Sequence, residues 1–260
     1  MPHALPLARP PRERHTTVVD RDPGCVNGGG MVERSMPICD EGLDYEDARE
    51  EDDLALMRGP SGKWREDRTF QIRALEKLGL RPDHRLLEIG CGPLLAGAPL
   101  IRFLDPGGYT GVDVSEERLA VAEKAVTRFA LKDRKPTLLL SGDFGLERLP
   151  PRSFDRIWSY QVVLHLTLPL VHRFMAAVAQ YLKPSGLAWF SAKIADDGEG
   201  FKPGGPWLEF PVNAADEAFY LKAAEAAGLE CTHLGTLGKW GLPPDRPGAK
   251  HLLFQLRSTA

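Results

Sequence analysis

Cysteine is scarce in this sequence, and its spacing excludes two kinds of small domain. The 260 residues include four cysteines, with no Cys-x-x-Cys pair and no histidine at zinc-ligand spacing nearby: Cys25, Cys39, Cys91 and Cys231. Disulfide-rich secreted domains and zinc modules are built on such patterns. We therefore expect no disulfide framework and no metal site, and we expect the reducing cytoplasm as the location.

Long apolar runs and excess positive charge are also missing. No apolar stretch approaches the roughly 20 residues of a membrane-spanning helix, and the proline-interrupted N-terminus has no apolar core of a signal peptide. The 33 basic and 36 acidic residues leave a formal net charge of −3, which gives no general attraction to nucleic acids or anionic membranes. We expect neither as a partner, and the oligomeric state stays open.

The first 53 residues differ from the rest. They contain a Pro/Arg-rich start, three consecutive glycines at 28–30, and an acidic run over 40–53. So few apolar residues cannot offset the entropy of ordering the chain. We expect residues 1–53 to be a largely mobile extension, with a lid or docking tail as the alternative, and residues 54–260 to be one folded domain.

The remaining chain alternates between strand and helix patterns, which is typical of a mainly parallel sheet. A helix with an apolar stripe is predicted over 59–80. The predicted strands are 85–89, 109–113, 136–141, 154–160, 186–192, 229–235 and 249–257, and the further helices are 94–104, 115–131, 168–182 and 214–227. Because only a Gly/Pro-rich loop separates the last two strands, they are predicted to pair as an antiparallel hairpin. The fold class is therefore α/β, a doubly wound, mainly parallel seven-stranded sheet with a C-terminal antiparallel hairpin.

The most informative motif is the turn after the first strand. The apolar run Leu86-Leu87-Glu88-Ile89 breaks at Gly90 and Gly92, and glycine lets a ligand approach the backbone closely. Asp113 closes the next strand 21 residues after Gly92, which is the spacing of a ribose-binding acid in a βαβ unit. Both features face the crevice where open α/β sheets bind ligands. The pattern predicts a nucleoside site.

Two cofactor families compete for this site. The dinucleotide pattern G-x-G-x-x-G would need a third glycine at position 95, where the chain has Leu95. The pattern Glu88-x-Gly90-x-Gly92, the acid Asp113, the segment Ser141-Gly142-Asp143-Phe144 and the fourth-strand segment 153–161 instead resemble the class I S-adenosylmethionine-dependent methyltransferases. One departure is Pro93-Leu94, where that family often has a third glycine.

The resemblance implies a role for each turn. The glycine turn would lie against the methionine part of S-adenosylmethionine, Asp113 would hold the ribose hydroxyls, and Asp143 would meet the adenine amino group. The full set of predicted cofactor contacts is Glu88, Gly90, Cys91, Gly92, Asp113, Val114, Gly142, Asp143, Phe144 and Tyr160. Alternatives remain at three of them. Glu88 could be a structural carboxylate bonded to turn N–H groups, Asp143 could serve an ordinary turn, and Phe144 could belong to the core.

The predicted catalytic residue is His165, which follows strand four in Tyr160-Gln161-Val162-Val163-Leu164-His165. In related enzymes a histidine here often lies near the transferred methyl group, and its pKa suits a general base. A space-filling histidine under the lid is the alternative. His172 is predicted to lie on the surface, and the Trp64-Arg65 pair either closes over the cofactor carboxylate or packs on the sheet.

The acceptor is predicted from a loop and from missing motifs. The Gly/Pro-rich segment 196–211 carries Phe201, Trp207 and Phe210, which could wall an acceptor pocket. The Asn/Asp-Pro-Pro-Tyr motif, a Pro-Cys nucleophile and a basic patch with interleaved aromatic residues are all missing. We therefore predict methyl transfer to a hydroxyl or amine of a small molecule, such as a natural product or a sugar. The alternatives are an NAD(P)-binding oxidoreductase and a catalytically silent cofactor-binding partner protein.

Overall fold

The computed structural model describes residues 37–43, 63–194, 215–242 and 250–259. Within these ranges the helices are α1 (Trp64–Lys77), α2 (Gly97–Phe103), α3 (Glu116–Arg128), α4 (Leu168–Tyr181) and α5 (Glu217–Ala226). The strands are β1 (Leu86–Ile89), β2 (Tyr109–Asp113), β3 (Thr137–Leu140), β4 (Phe154–Ser159), β5 (Leu182–Ile194), β6 (Leu229–Thr236) and β7 (Lys250–Ser258). No helix in these ranges combines the length and the apolar composition needed to cross a bilayer.

The strands form one sheet in the order β3-β2-β1-β4-β5-β7-β6. Strands β1 to β5 are parallel, and β7 pairs antiparallel with both β5 and β6. The predicted fold class is confirmed, including the antiparallel C-terminal pair. The strand order reverses between β1 and β4, and ligands bind in open α/β sheets at the carboxyl ends of the strands where this happens.

Both faces of the sheet are covered, because successive side chains of a strand point to opposite faces. Trp158 and Trp189 belong to one buried cluster, together with residues of α1, α2 and α3. Their chain neighbours Ile157 and Phe190 belong to a second cluster, which contains residues of α4 and α5. A strand buried on both faces must be apolar almost throughout, which explains the apolar runs that mark the strands in the sequence.

Two helix starts differ in how well they follow from sequence. Ser115 caps α3 as its position predicts, and its hydroxyl accepts a hydrogen bond from the backbone N–H of Arg118 at 3.2 Å. The start of α2 near residue 94 was wrong, since the helix begins at Gly97. Leu94 has φ +65°, a left-handed conformation that a right-handed helix cannot include.

Strand β5 is longer than predicted, because it follows α4 without a turn and runs over Leu182–Ile194. The pairing with β4 shifts register, from Phe154 opposite Leu182 to Arg156 opposite Leu187. The Pro-Ser-Gly segment 184–186 therefore forms an irregularity inside strand β5. The sequence instead predicts a turn at this segment, with the strand starting after it.

Residues 37–43, which lie within the expected extension, pack against α1. Ile38 and Leu43 are buried in the core cluster that includes α1. The guanidinium of Arg68 donates to the carbonyl of Leu43 at 2.9 Å and lies 3.3 Å from the carboxylate of Asp40. This short segment belongs to the folded core, and the boundary near residue 53 stays a prediction.

Candidate active site

The turn after β1 is held close to the end of β2 and to the turn after β4. The backbone N–H groups of Gly90 and Cys91 both donate to the carbonyl of Val112, at 2.7 and 3.0 Å. Gly90 has φ +81°, and a Cβ atom there would lie 2.0 Å from Cγ2 of Val162. Both the backbone conformation and this contact therefore require glycine at position 90.

Gly92 is the open part of the same turn. Its φ is +51°, and no described atom lies within 4 Å of the position a Cβ would take. Its N–H donates to Oδ2 of Asp113 at 2.8 Å. A Cβ at this position would therefore meet no described side chain, and the positive φ is what favours glycine here.

The carboxylate of Asp113 accepts backbone hydrogen bonds from the turns on either side of it. The residue is 5% exposed, and its second oxygen, Oδ1, accepts a hydrogen bond from the N–H of Ser115 at 2.9 Å. A carboxylate oxygen can accept more than one hydrogen bond, so the group retains capacity for ribose hydroxyls. Asp113 is thus a buried, oriented carboxylate rather than a solvated strand end.

Glu88 has a partner that the sequence did not indicate. It is 4% exposed, and its Oε2 accepts a hydrogen bond from the hydroxyl of Tyr109 at 2.5 Å. The turn N–H groups expected as partners instead bond to Val112 and Asp113. Burial raises the pKa of Glu88 to about 7, against the lowering effect of the Tyr109 bond and with a smaller raising effect from Asp113. Glu88 therefore ties β1 to β2 beneath the turn.

Cys91 packs into the core below the turn. It is 4% exposed, and a Cβ on Gly111 would lie 2.9 Å from its sulfur. Burial raises the pKa of the thiol well above its usual value, with further raising effects from the charges of Glu88 and Asp113. The thiol is therefore neither a nucleophile nor aimed at the crevice, and only the backbone of Cys91 can meet a ligand.

The turn after β3 places its two predicted cofactor contacts, Asp143 and Phe144, in different surroundings. Asp143 is exposed, accepts from the N–H of Gly145 at 3.1 Å and lies 3.6 Å from the guanidinium of Arg173. This is the turn alternative considered for it, and its adenine role stays a prediction. Phe144 packs edge-on against Phe174, with ring centroids 5.8 Å apart, in the core cluster that contains α4.

An apolar surface lies beside that turn. Val114 is 60% exposed, and a Cβ on Gly142 would lie 3.3 Å from its Cγ2. An exposed valine next to a bare glycine backbone, one residue past Asp113, offers a flat apolar contact for an aromatic base. The predicted contact of Val114 and Gly142 with the cofactor stays a prediction.

Tyr160 follows β4 and is bonded to α1. Its hydroxyl donates to Oδ1 of Asp67 at 2.8 Å, and the buried indole of Trp158 donates to Oε1 of Gln71 at 2.9 Å. Sequence reasoning missed Asp67 and Gln71. Their spacing of four residues places them on one helix face, which is a signal, but only the packing of α1 on β4 shows the partner.

His165 lies on the short 3₁₀ turn Val163–His165, directly after the Tyr160 segment. Its backbone N–H donates to the carbonyl of Val162 at 2.8 Å, and the side chain is half-buried. The turn thus places residue 165 at the carboxyl edge of the sheet, three residues after Val162, whose side chain lies against Gly90. The general-base role stays a prediction.

The remaining sequence candidates lie elsewhere. His172 is exposed and edge-on to Phe219, as predicted for a surface residue. Trp64 is 7% exposed, with the guanidinium of Arg65 4.8 Å from its ring centroid, which matches the packing alternative. The segment 196–211 lies outside the described residues. Among the described side chains, no group of His, Cys, Asp and Glu could hold a metal ion.

Comparison with known proteins identifies the class. Residues 87–188 match the family model described as a methyltransferase domain, which spans β1 to the middle of β5. This match shows a methyltransferase domain over that part of the chain, and the sheet order agrees with it. The resemblance stated from the sequence motifs is confirmed.

Individual relatives match only part of their length. The chain is similar to the methyltransferase GfsG of Streptomyces halstedii, with 33% identity over 116 residues, 43% of this chain and 38% of that protein. It is also similar to the sterol 24-C-methyltransferase of Clavispora lusitaniae, with 24% identity over 43% of this chain and 28% of that protein. Among solved structures, magnesium protoporphyrin IX methyltransferase of Synechocystis PCC 6803 has a TM-score of 0.58 at 16% identity, covering 80% of this chain and 94% of its own. This last likeness shows the shared fold.

Proposed function

We propose that this protein transfers the methyl group of S-adenosylmethionine to a hydroxyl or amine of a small-molecule acceptor, such as a natural product or a sugar, in the cytoplasm. The observation that carries the proposal is the carboxylate of Asp113, buried and hydrogen-bonded to the N–H of Gly92 at the edge where the strand order reverses. An oriented carboxylate beside an open glycine backbone suits a ribose and the chain that extends from it.

Different residues at this edge contact different parts of the cofactor. Asp113 accepts hydrogen bonds from the ribose hydroxyls, and the exposed face of Val114 with Gly142 contacts the base. The backbone from Gly90 to Gly92 passes along the methionine part. When bound, the cofactor supplies an electrophilic methyl group, and the rate then depends on how well the protein places the acceptor behind it.

His165 takes the proton when the acceptor is a hydroxyl. Deprotonation strengthens a hydroxyl as a nucleophile, and a positioned imidazole can accept its proton near neutral pH. A neutral amine already has an available lone pair, so for such an acceptor His165 contributes by shape alone. The role of His165 therefore depends on the acceptor.

The names of the relatives support a small acceptor. The sterol 24-C-methyltransferase and the magnesium protoporphyrin IX methyltransferase are both named for compact organic molecules. Neither name defines the acceptor here, because both matches are low in identity. The formal charge of −3 adds no pull toward a nucleic acid.

Label transfer tests the proposal. Purified protein is incubated with S-adenosylmethionine carrying a labelled methyl group and a small-metabolite extract from the source organism, and products are separated by size. We expect protein-dependent label in the small-molecule fraction, and much less label when Asp113→Ala replaces the native protein at a cofactor concentration near the native Kd. Label only in added RNA, DNA or protein would contradict the acceptor class, and absence of label in every fraction would contradict methyl transfer.

A further inference from the structure

Two side-chain hydrogen bonds join α1 to the end of β4 as parallel rungs. Asp67 and Gln71 lie four residues apart on one helix face, while Trp158 and Tyr160 lie two residues apart on one face of the chain. The inner rung, Trp158 Nε1 to Gln71 Oε1 at 2.9 Å, is buried. The outer rung, Tyr160 to Asp67 at 2.8 Å, is half-buried and lies at the rim of the crevice.

The phenol of Tyr160 is fixed in position and in hydrogen-bond direction. Its ring centroid lies 5.2 Å from that of Phe70, and 6.4 Å from the almost parallel indole of Trp158. The hydroxyl donates to Asp67 and accepts from Nε2 of Gln161 at 2.8 Å. Because its proton points to a carboxylate, the phenol oxygen carries increased negative charge.

Tyr160 follows β4, which pairs with β1 on the side opposite β2, the strand that ends in the proposed ribose carboxylate Asp113. Glu88 of β1 is level with Trp158 of β4, so the segments that follow these two strands begin at the same edge of the sheet. The Cγ2 of Val162 reaches within 2.0 Å of where a Cβ on Gly90 would lie. A nucleoside held at Asp113, with its base at Val114, would meet the Tyr160 segment where its 5′ substituent crosses the turn at Gly90.

We propose that Asp67, acting through Tyr160, selects for positive charge at that 5′ substituent and so favours the sulfonium of S-adenosylmethionine over the neutral thioether of S-adenosylhomocysteine. This inference rests on the proposed function, since it assumes that this nucleoside binds. A carboxylate and a polarised phenol oxygen stabilise a nearby cation and do nothing for a neutral sulfur. Asp67 is a specificity-determining residue that acts through Tyr160, and the product, whose sulfur is neutral, does not receive this stabilisation.

Calorimetric titration with S-adenosylmethionine and with S-adenosylhomocysteine tests the inference through the ratio of their dissociation constants. In Asp67→Asn the side chain keeps an oxygen for the Tyr160 hydroxyl but loses its charge. We expect the preference for the sulfonium to fall roughly fivefold, the effect of one charge across a partly solvated site. Tyr160→Phe should shift the ratio in the same direction, by less. Gln71→Met breaks the inner rung only and should leave the ratio unchanged.

The outcomes distinguish charge selection by Asp67, simple tethering of α1, and failure of the proposed function. An unchanged ratio in both Asp67→Asn and Tyr160→Phe overturns the inference and leaves the proposed function standing. An equal fall in Gln71→Met also overturns it, because the rungs would then act only by tethering α1. If native protein binds neither compound, the proposed function itself fails. Tyr160→Phe decides the question if Asp67→Asn does not fold, which circular dichroism reveals.

Discussion

Replacing Asp113 with alanine should damage both stability and cofactor binding. The substitution leaves two backbone N–H groups, those of Gly92 and Ser115, without their acceptor. Each N–H that loses its partner costs about 1–3 kcal/mol, with the lower value for the part-buried Ser115. We therefore expect the free energy of unfolding to fall by about 2–4 kcal/mol. A strand-end acid in solvent would show almost no loss.

The same carboxylate is the proposed acceptor for the ribose hydroxyls, so affinity should fall as well. Losing two charge-assisted hydrogen bonds weakens binding by about 2–4 kcal/mol, or roughly 30- to 1000-fold in Kd. Asp113→Asn is the matched variant, since it retains one carbonyl oxygen and should lose about half of each effect.

Urea unfolding at fixed pH measures the stability loss, and calorimetric titration with S-adenosylhomocysteine measures the affinity. The two readouts address different parts of the reasoning. Native-like unfolding of Asp113→Ala would refute the structural role of the two N–H bonds. Native-like affinity in a folded variant would refute the assignment of Asp113 to the ribose.

Four further substitutions test other positions in the fold and the crevice. Ser191→Ala should lower the free energy of unfolding by about 1–3 kcal/mol, because the left-handed Gln161 loses the acceptor of its N–H at 2.8 Å. Ser159→Ala should be neutral or stabilising in the same urea assay, since that buried hydroxyl has no partner among the described residues; equal losses would contradict this contrast. Burial, with charges of nearby arginines, lowers the pKa of His84 from 6.5 to about 4. The neutral form of His84 therefore stabilises the fold fully above pH 6.5. As the pH falls to 4, the free energy of unfolding should decrease by up to roughly 3 kcal/mol, less with solvent screening, and urea curves of His84→Gln should not show this decrease. His165→Ala should lower kcat by roughly 10²–10⁴-fold on a hydroxyl acceptor with cofactor affinity unchanged, whereas near-native turnover would exclude the base role.

The fold was largely predictable because both faces of the sheet are buried. A strand such as Tyr109–Asp113 is then an apolar run that ends at a turn, and its ends are visible in the sequence. The start of α2 was not predictable, since nothing in the sequence shows that Leu94 has a left-handed backbone. Buried side-chain packing holds such a conformation, and packing is a property of the whole fold.

The candidate site was predictable where it depends on spacing along the chain. Gly90, Gly92 and Asp113 are brought together as their positions indicate. The partner of Glu88 and the Asp67 contact to Tyr160 were missed. Both are side-chain bonds between different elements, and their geometry depends on helix and strand positions that periodicity does not define.

The central claim is that the crevice beside Asp113 binds S-adenosylmethionine, and the most direct measurement is calorimetric titration of native protein with S-adenosylhomocysteine and, separately, with NAD. Ligands that bind only the folded state also raise its melting temperature. The account predicts saturable binding of S-adenosylhomocysteine at one site per chain, with no heat from NAD at the same concentrations. Binding of NAD with equal or higher affinity would contradict the account and favour an oxidoreductase.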